Sequence, residues 1–89
     1  MDPATSFTTL DKLPLRTSGE VASVDWTLLS EKDGRRLREL GVDEGVEVEK
    51  LHKGPFGLTN PIACRIGRMT VALRTAQAAA IAVRPRATE

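Results

Sequence analysis

His52 and Cys64 are the single histidine and the single cysteine of the 89-residue chain, and they flank one loop. A thiol beside an imidazole makes a nucleophile–base pair, and with carboxylates added the two can hold a divalent metal. The segments carrying them, VEVEKL and IACRI, alternate like strands, which places His52 and Cys64 diagonally on neighbouring strands. The same alternation groups Cys64 with Ile62 and Ile66 on an apolar face, where a free cysteine behaves as a small buried hydrophobe. Inert packing is the expectation. The alternative is a metal sensor or carrier whose site, built from His52, Cys64 and carboxylates, is shared across a homodimer. No G-x-x-x-x-G-K-[ST], H-E-x-x-H or G-x-S-x-G occurs, so neither an enzyme nor a bound cofactor is expected.

The loop itself, KGPFGLTNPI from Lys53 to Ile62, is longer than a connection between two strands needs. Pro55 and Pro61 fix φ, and Gly54 and Gly57 permit turns that other residues resist. A loop restrained in this way loses little entropy when a partner docks. Pro55, Phe56, Gly57 and Leu58 are therefore candidate partner-binding residues, with Phe56 an anchor worth roughly 2 kcal/mol. The competing role for Phe56 is to fold back and plug the open end of the fold. Arg35 and Arg36, in the run RRLR, join the partner-binding set, although arginines near a helix C-terminus also suit the helix dipole as solvated residues.

The elements that must hold these residues are short. Thr9 can cap a helical turn carrying Leu10 and Leu13, limited by Pro14. GEVASVDW reads as the first strand, and the three-residue spacing of Val21 and Val24 suggests a bulge. SEKDGRRLRELG is the clearest helix: Ser30 and Asp33 resemble a capping box, Leu37 and Leu40 form the apolar stripe, and Gly41 fits a left-handed C-cap. Val46 and Val48 point inward on the next strand. Gly67-Arg68 fits a two-residue hairpin turn before MTVAL, with Met69, Val71 and Leu73 on one face. Thr75 can cap the turn AQAAA, which returns the chain as IAV. Helices near 9–14 and 31–40 and a turn near 76–80 among four or five strands suggest a mainly β small barrel with short helical insertions, which curls to protect its edges. The expected limits are a tail at 1–8, one domain at 9–84 and a tail at 85–89.

Composition agrees with one such domain: apolar residues make up 40% and charged residues 28%. One cysteine excludes an internal disulfide and suits a reducing compartment. MDPATSFTT has no signal-peptide character, and AQAAAIAV is too short to span a bilayer, so a cytoplasmic protein without membrane insertion is expected. Residues 1–49 carry eleven acids against six bases, whereas Lys50 to Arg86 carry seven bases and no acid. Strands interleaved from both halves would mix these charges, and that is the expectation, rather than one basic face. With Trp26 the single aromatic near a strand, there is no stacking platform, and nucleic acid is not an expected partner.

The runs RRLRELGVDEGVEVEKLHKGPFG and IACRIGRMTVALRTAQAAAIAV, in this order and spacing, resemble the FeoA-like domain. The likeness covers about Leu10 to Val83. It comprises an R-L-x-x-L-G helix end, a glycine turn, a strand, a P-x-G loop and an A-L-R-x-x-x-A-x-x-I ending. The resemblance implies an SH3-like barrel. It also implies a non-enzymatic cytosolic accessory protein of bacterial ferrous iron uptake, partnered with the cytosolic portion of the permease FeoB, which carries a GTPase domain. Similar domains end some metal-dependent repressors, but this chain has no room for a helix-turn-helix. Members commonly read P-x-G-D-P at the loop. Here Leu58-Thr59-Asn60 stands in place of the acid and the loop is two residues longer.

Overall fold

The computed structural model describes residues 7–53 and 61–85. Six strands form one antiparallel sheet: β1 (Thr8–Thr9), β2 (Ser18–Val24), β3 (Glu47–Lys53), β4 (Ile62–Ile66), β5 (Met69–Leu73) and β6 (Ile81–Pro85). Their order is β1-β6-β2-β3-β4-β5. The fold is mainly β, as expected. The first strand begins at Thr8 and the last runs to Pro85, one residue beyond the expected domain limit at either end.

Period-two alternation sends Val21, Val48, Ile62, Cys64, Ile66, Leu73, Ile81 and Val83 to one buried face. Leu10 and Leu13, Leu37 and Val42, and Ala78 close the same core from the non-strand elements. Met69 shares the expected face with Val71 and Leu73, opposite Ile66, but is exposed there because it stands at the turn end of the edge strand β5. That turn is the expected one: Ile66 pairs with Met69 and Gly67 takes φ +60, with glycine first.

Two bulges interrupt the ladders. Val21 pairs with Val83 and Ser23 with Ala82, leaving Ala22 surplus, which is how Val21 and Val24 both turn toward the core. On β3, Lys50 pairs with Cys64 and His52 with Ala63, leaving Leu51 surplus. Gly19 is obligatory for a different reason. A Cβ there would stand 2.5 Å from Val83 Cγ1 and 2.8 Å from the Arg84 carbonyl oxygen.

The helix α1 spans Glu31–Glu39. Ser30 Oγ accepts from the Asp33 amide at 3.1 Å, which satisfies one of the first-turn donors. At the other end Gly41 has φ +83, its amide donates to the Arg38 carbonyl and the Val42 amide to the Leu37 carbonyl, a Schellman closure with Leu37 and Val42 both buried. Leu37 is fully buried as expected, and Leu40 is half-buried against the core. The second helix, α2 (Thr75–Ala79), is capped differently from the sequence expectation. Thr75 lies inside it, and the Gln77 side chain accepts from the Arg74 amide at 2.9 Å. Leu10–Lys12 and Trp26–Leu28 are single 3-10 turns. Among the described residues no helix is long and apolar enough to cross a membrane.

Candidate functional site

The helix α1 carries four bases, and the fold gives them different tasks. Arg35 pairs with Glu31 one turn away at 3.8 Å. Arg38 lays its guanidinium over the Trp26 ring, 4.4 Å from the centroid. Lys32 and Arg36, spaced i and i+4, share a third face and line a groove of about 330 Å³ between α1 and the start of α2. Arg74 faces them across it.

The floor of this groove is fixed by one amide. Gln77 is 3% exposed, and its Oε1 accepts the Arg74 amide at 2.9 Å. Its Nε2 donates to Asp33 Oδ1 at 3.3 Å, tying α2 to the first turn of α1. Asp33 therefore serves the helix–helix contact as well as the cap that Ser30 provides. Pro61 and Ala72 form the apolar part of the wall. Pro61 is where the loop rejoins the described structure before β4.

The ion pairs among the described residues are Glu31–Arg35, Glu49–Arg65 and Glu20–Arg84. None of them uses Lys32, Arg36 or Arg74, all three of which are exposed. The groove thus holds three cations against the one carboxylate of Asp33. Chemically it can receive an anion; its described lining includes no nucleophile–base pair. Two of the three cations come from the acid-rich half of the chain, so the groove does not map onto the charge bias of the sequence.

Of the residues singled out from sequence, Arg36 lies in this groove and Arg35 is engaged beside it. Pro55, Phe56, Gly57 and Leu58 lie outside the described residues. The thiol–imidazole pair does not assemble within the chain. The bulge at Leu51 sets His52 opposite Ala63 on the exposed side, whereas Cys64 is fully buried opposite Lys50. Burial pushes the Cys64 thiol up to about 11, and the nearby Lys50 charge acts in the other direction. Lys50 is itself 7% exposed, with its ammonium donating to the Asp11 carbonyl at 2.7 Å. Among the described residues no group of three or more His, Cys, Asp or Glu could hold a metal ion.

Sequence reasoning alone does not single out Lys32, Arg74 or Gln77. The i,i+4 spacing of Lys32 and Arg36 is a usable signal. The convergence of Arg74 has none, because it depends on how β5 and α2 return to α1.

The FeoA domain model matches residues 8–85. FeoA of Stenotrophomonas maltophilia is 41% identical, with a TM-score of 0.72 over 85% of this chain and 88% of that one. It was solved complexed with zinc and is described as a prokaryotic SH3 domain protein and candidate ferrous iron transport activating factor. FeoA of Chlorobium tepidum is 28% identical, with a TM-score of 0.76 over 92% of this chain and 73% of that one. A manganese-dependent transcriptional repressor shares the fold at 21% identity and a TM-score of 0.75, over 90% of this chain and 42% of that one. No match was found among the curated proteins. The sheet is thus of the SH3-like kind that the sequence resemblance implied.

Proposed function

The chain belongs to the FeoA domain family, and from that membership we propose that it is a non-enzymatic accessory protein of bacterial ferrous iron uptake. It works in the cytoplasm on the cytosolic portion of the permease FeoB, without inserting into the membrane and without nucleic acid as a partner. The observation that carries this reading is the family match over nearly the whole chain, together with the 41% identity to an FeoA. The loop residues Pro55, Phe56, Gly57 and Leu58, with Arg35 and Arg36, form the proposed contact surface.

The test is capture of FeoB from detergent-solubilised membranes of the source cell by the tagged full-length chain. FeoB should be enriched over an unrelated small β domain, and Phe56→Ala should weaken capture while leaving the melting temperature in place. Equal recovery on the unrelated domain would refute the partnership.

A second reading, a metal carrier with a site shared across a dimer, draws support from the zinc-bound Stenotrophomonas structure. It requires stoichiometric zinc or ferrous iron binding that disappears when His52 and Cys64 are both replaced. The buried position of Cys64 weighs against it.

A further inference from the structure

We infer that the groove between α1 and α2 is a docking site for an acidic peptide segment of a protein partner, held by Lys32, Arg36 and Arg74. The inference rests on the accessory-protein reading and names the chemistry of what docks.

The distribution of charge partners carries it. Arg35 has Glu31, Arg65 has Glu49 and Arg84 has Glu20, and Arg38 is occupied by Trp26. The three cations of the groove have no such partner among the described residues, and they face one another across a recess of about 330 Å³. Three like charges brought together repel, and a bound anion relieves that repulsion. The loop that ends at Pro61, from Lys53 onward, contains no acid that could neutralise them.

The shape and lining select the kind of anion. Among the described residues no aromatic side chain lines the groove, so its walls offer bases nothing to stack on. The basic residues converge on a recess instead of running as an extended track, which disfavours a polynucleotide backbone. Pro61 and Ala72 offer an apolar wall to the methylenes of Asp or Glu side chains, while the guanidinium groups of Arg36 and Arg74 suit carboxylate oxygens. Gln77 and Asp33 hold the two helices at a fixed separation, so the site is preorganised.

The experiment is fluorescence anisotropy of the full-length chain with a short labelled Glu- and Asp-rich peptide, against Lys-rich and Ser/Gly-rich peptides of equal length. Binding should be confined to the acidic peptide and weaken as salt rises. Lys32→Glu combined with Arg36→Glu should lower affinity about tenfold or more, and Arg68→Glu, exposed in the β4–β5 turn at the other end of that hairpin from the groove, should change it less than about twofold. Should the double variant fail to fold, Arg36→Gln alone, with NMR shift changes mapped to Arg36, Ala72 and Arg74 on titration, tests the same point. Absence of acidic-peptide binding overturns the inference. So does tighter binding of an oligonucleotide or of phosphatidylglycerol vesicles, or self-association through the same residues that excludes the peptide. A chain that captures FeoB yet ignores the peptide loses this inference and keeps the accessory role; the opposite pattern keeps the groove and removes the permease.

Discussion

The sheet side of the molecule and the α1–α2 face treat charge in opposite ways. On the sheet, Glu20 meets Arg84, Glu49 meets Arg65, and even the buried Lys50 has the Asp11 carbonyl for its ammonium. On the α1–α2 face, an equally specific hydrogen-bond arrangement around Gln77 leaves Lys32, Arg36 and Arg74 without ion-pair partners among the described residues. The difference separates a region in which polar groups serve folding from one in which they remain available. Surface ion pairs are worth only about 0–1 kcal/mol each, so leaving three cations unpaired costs the fold little.

That contrast can be broken most directly at Leu37, which ties the helical face to the core. Leu37→Ala should cost about 2–5 kcal/mol in chemical denaturation, because the side chain is fully buried. A parent-like midpoint would mean that α1 is not integral to the fold.

The next largest effect sharpens the sheet side of the comparison. The folded state holds the Cys64 thiol near 11 against an ordinary 9.0, so folding favours the protonated form. Its contribution is complete below pH 9 and is lost as pH rises from 9 toward 11, by up to about 2–3 kcal/mol. Denaturation midpoints of the parent should fall more steeply over that window than those of Cys64→Ala. Parallel slopes would show that burial does not hold the proton.

Gly19→Ala should destabilise by about 1–3 kcal/mol, since the new methyl meets backbone at Arg84 as well as the Val83 side chain. Thermal melts would reveal it, and a neutral result would mean that β2 and β6 separate easily. The smallest effect belongs to the groove. Lys32→Ala with Arg36→Ala should change stability by less than about 0.5 kcal/mol in either direction. A loss of several times that value would make these side chains structural and erase the contrast.

Local signals make α1 legible in the sequence. Ser30 and Gly41 mark its ends by capping chemistry that needs no distant residue, and Gly67 marks its hairpin in the same way. The strand Thr8–Thr9 is not legible, because two residues form a strand there only by pairing with Ala82 and Val83. Lys50 follows Val46 and Val48 in the inward alternation, but its charge argues for the surface. The Asp11 carbonyl, supplied by a distant turn, accepts from its ammonium and makes its burial tolerable. The groove is half legible: α1 announces Lys32 and Arg36 on one face, while the arrival of Arg74 and Gln77 is a product of the tertiary fold. The assignment of His52 and Cys64 to a common neighbourhood fails on a single surplus residue.

That surplus residue bears on how the chain tolerates changes in length. Leu51 and Ala22 are the positions that a ladder partner does not count. A deletion at either one leaves the side chains beyond it on their present faces, His52 outside and Val24 inward. Removing a residue from a strand with no surplus position, such as Thr70 of β5, shifts the strand by half a pleat and exchanges interior for exterior along the rest of it. Insertions and deletions in this domain are therefore governed less by how exposed a position is than by whether it carries the beat of the pleat.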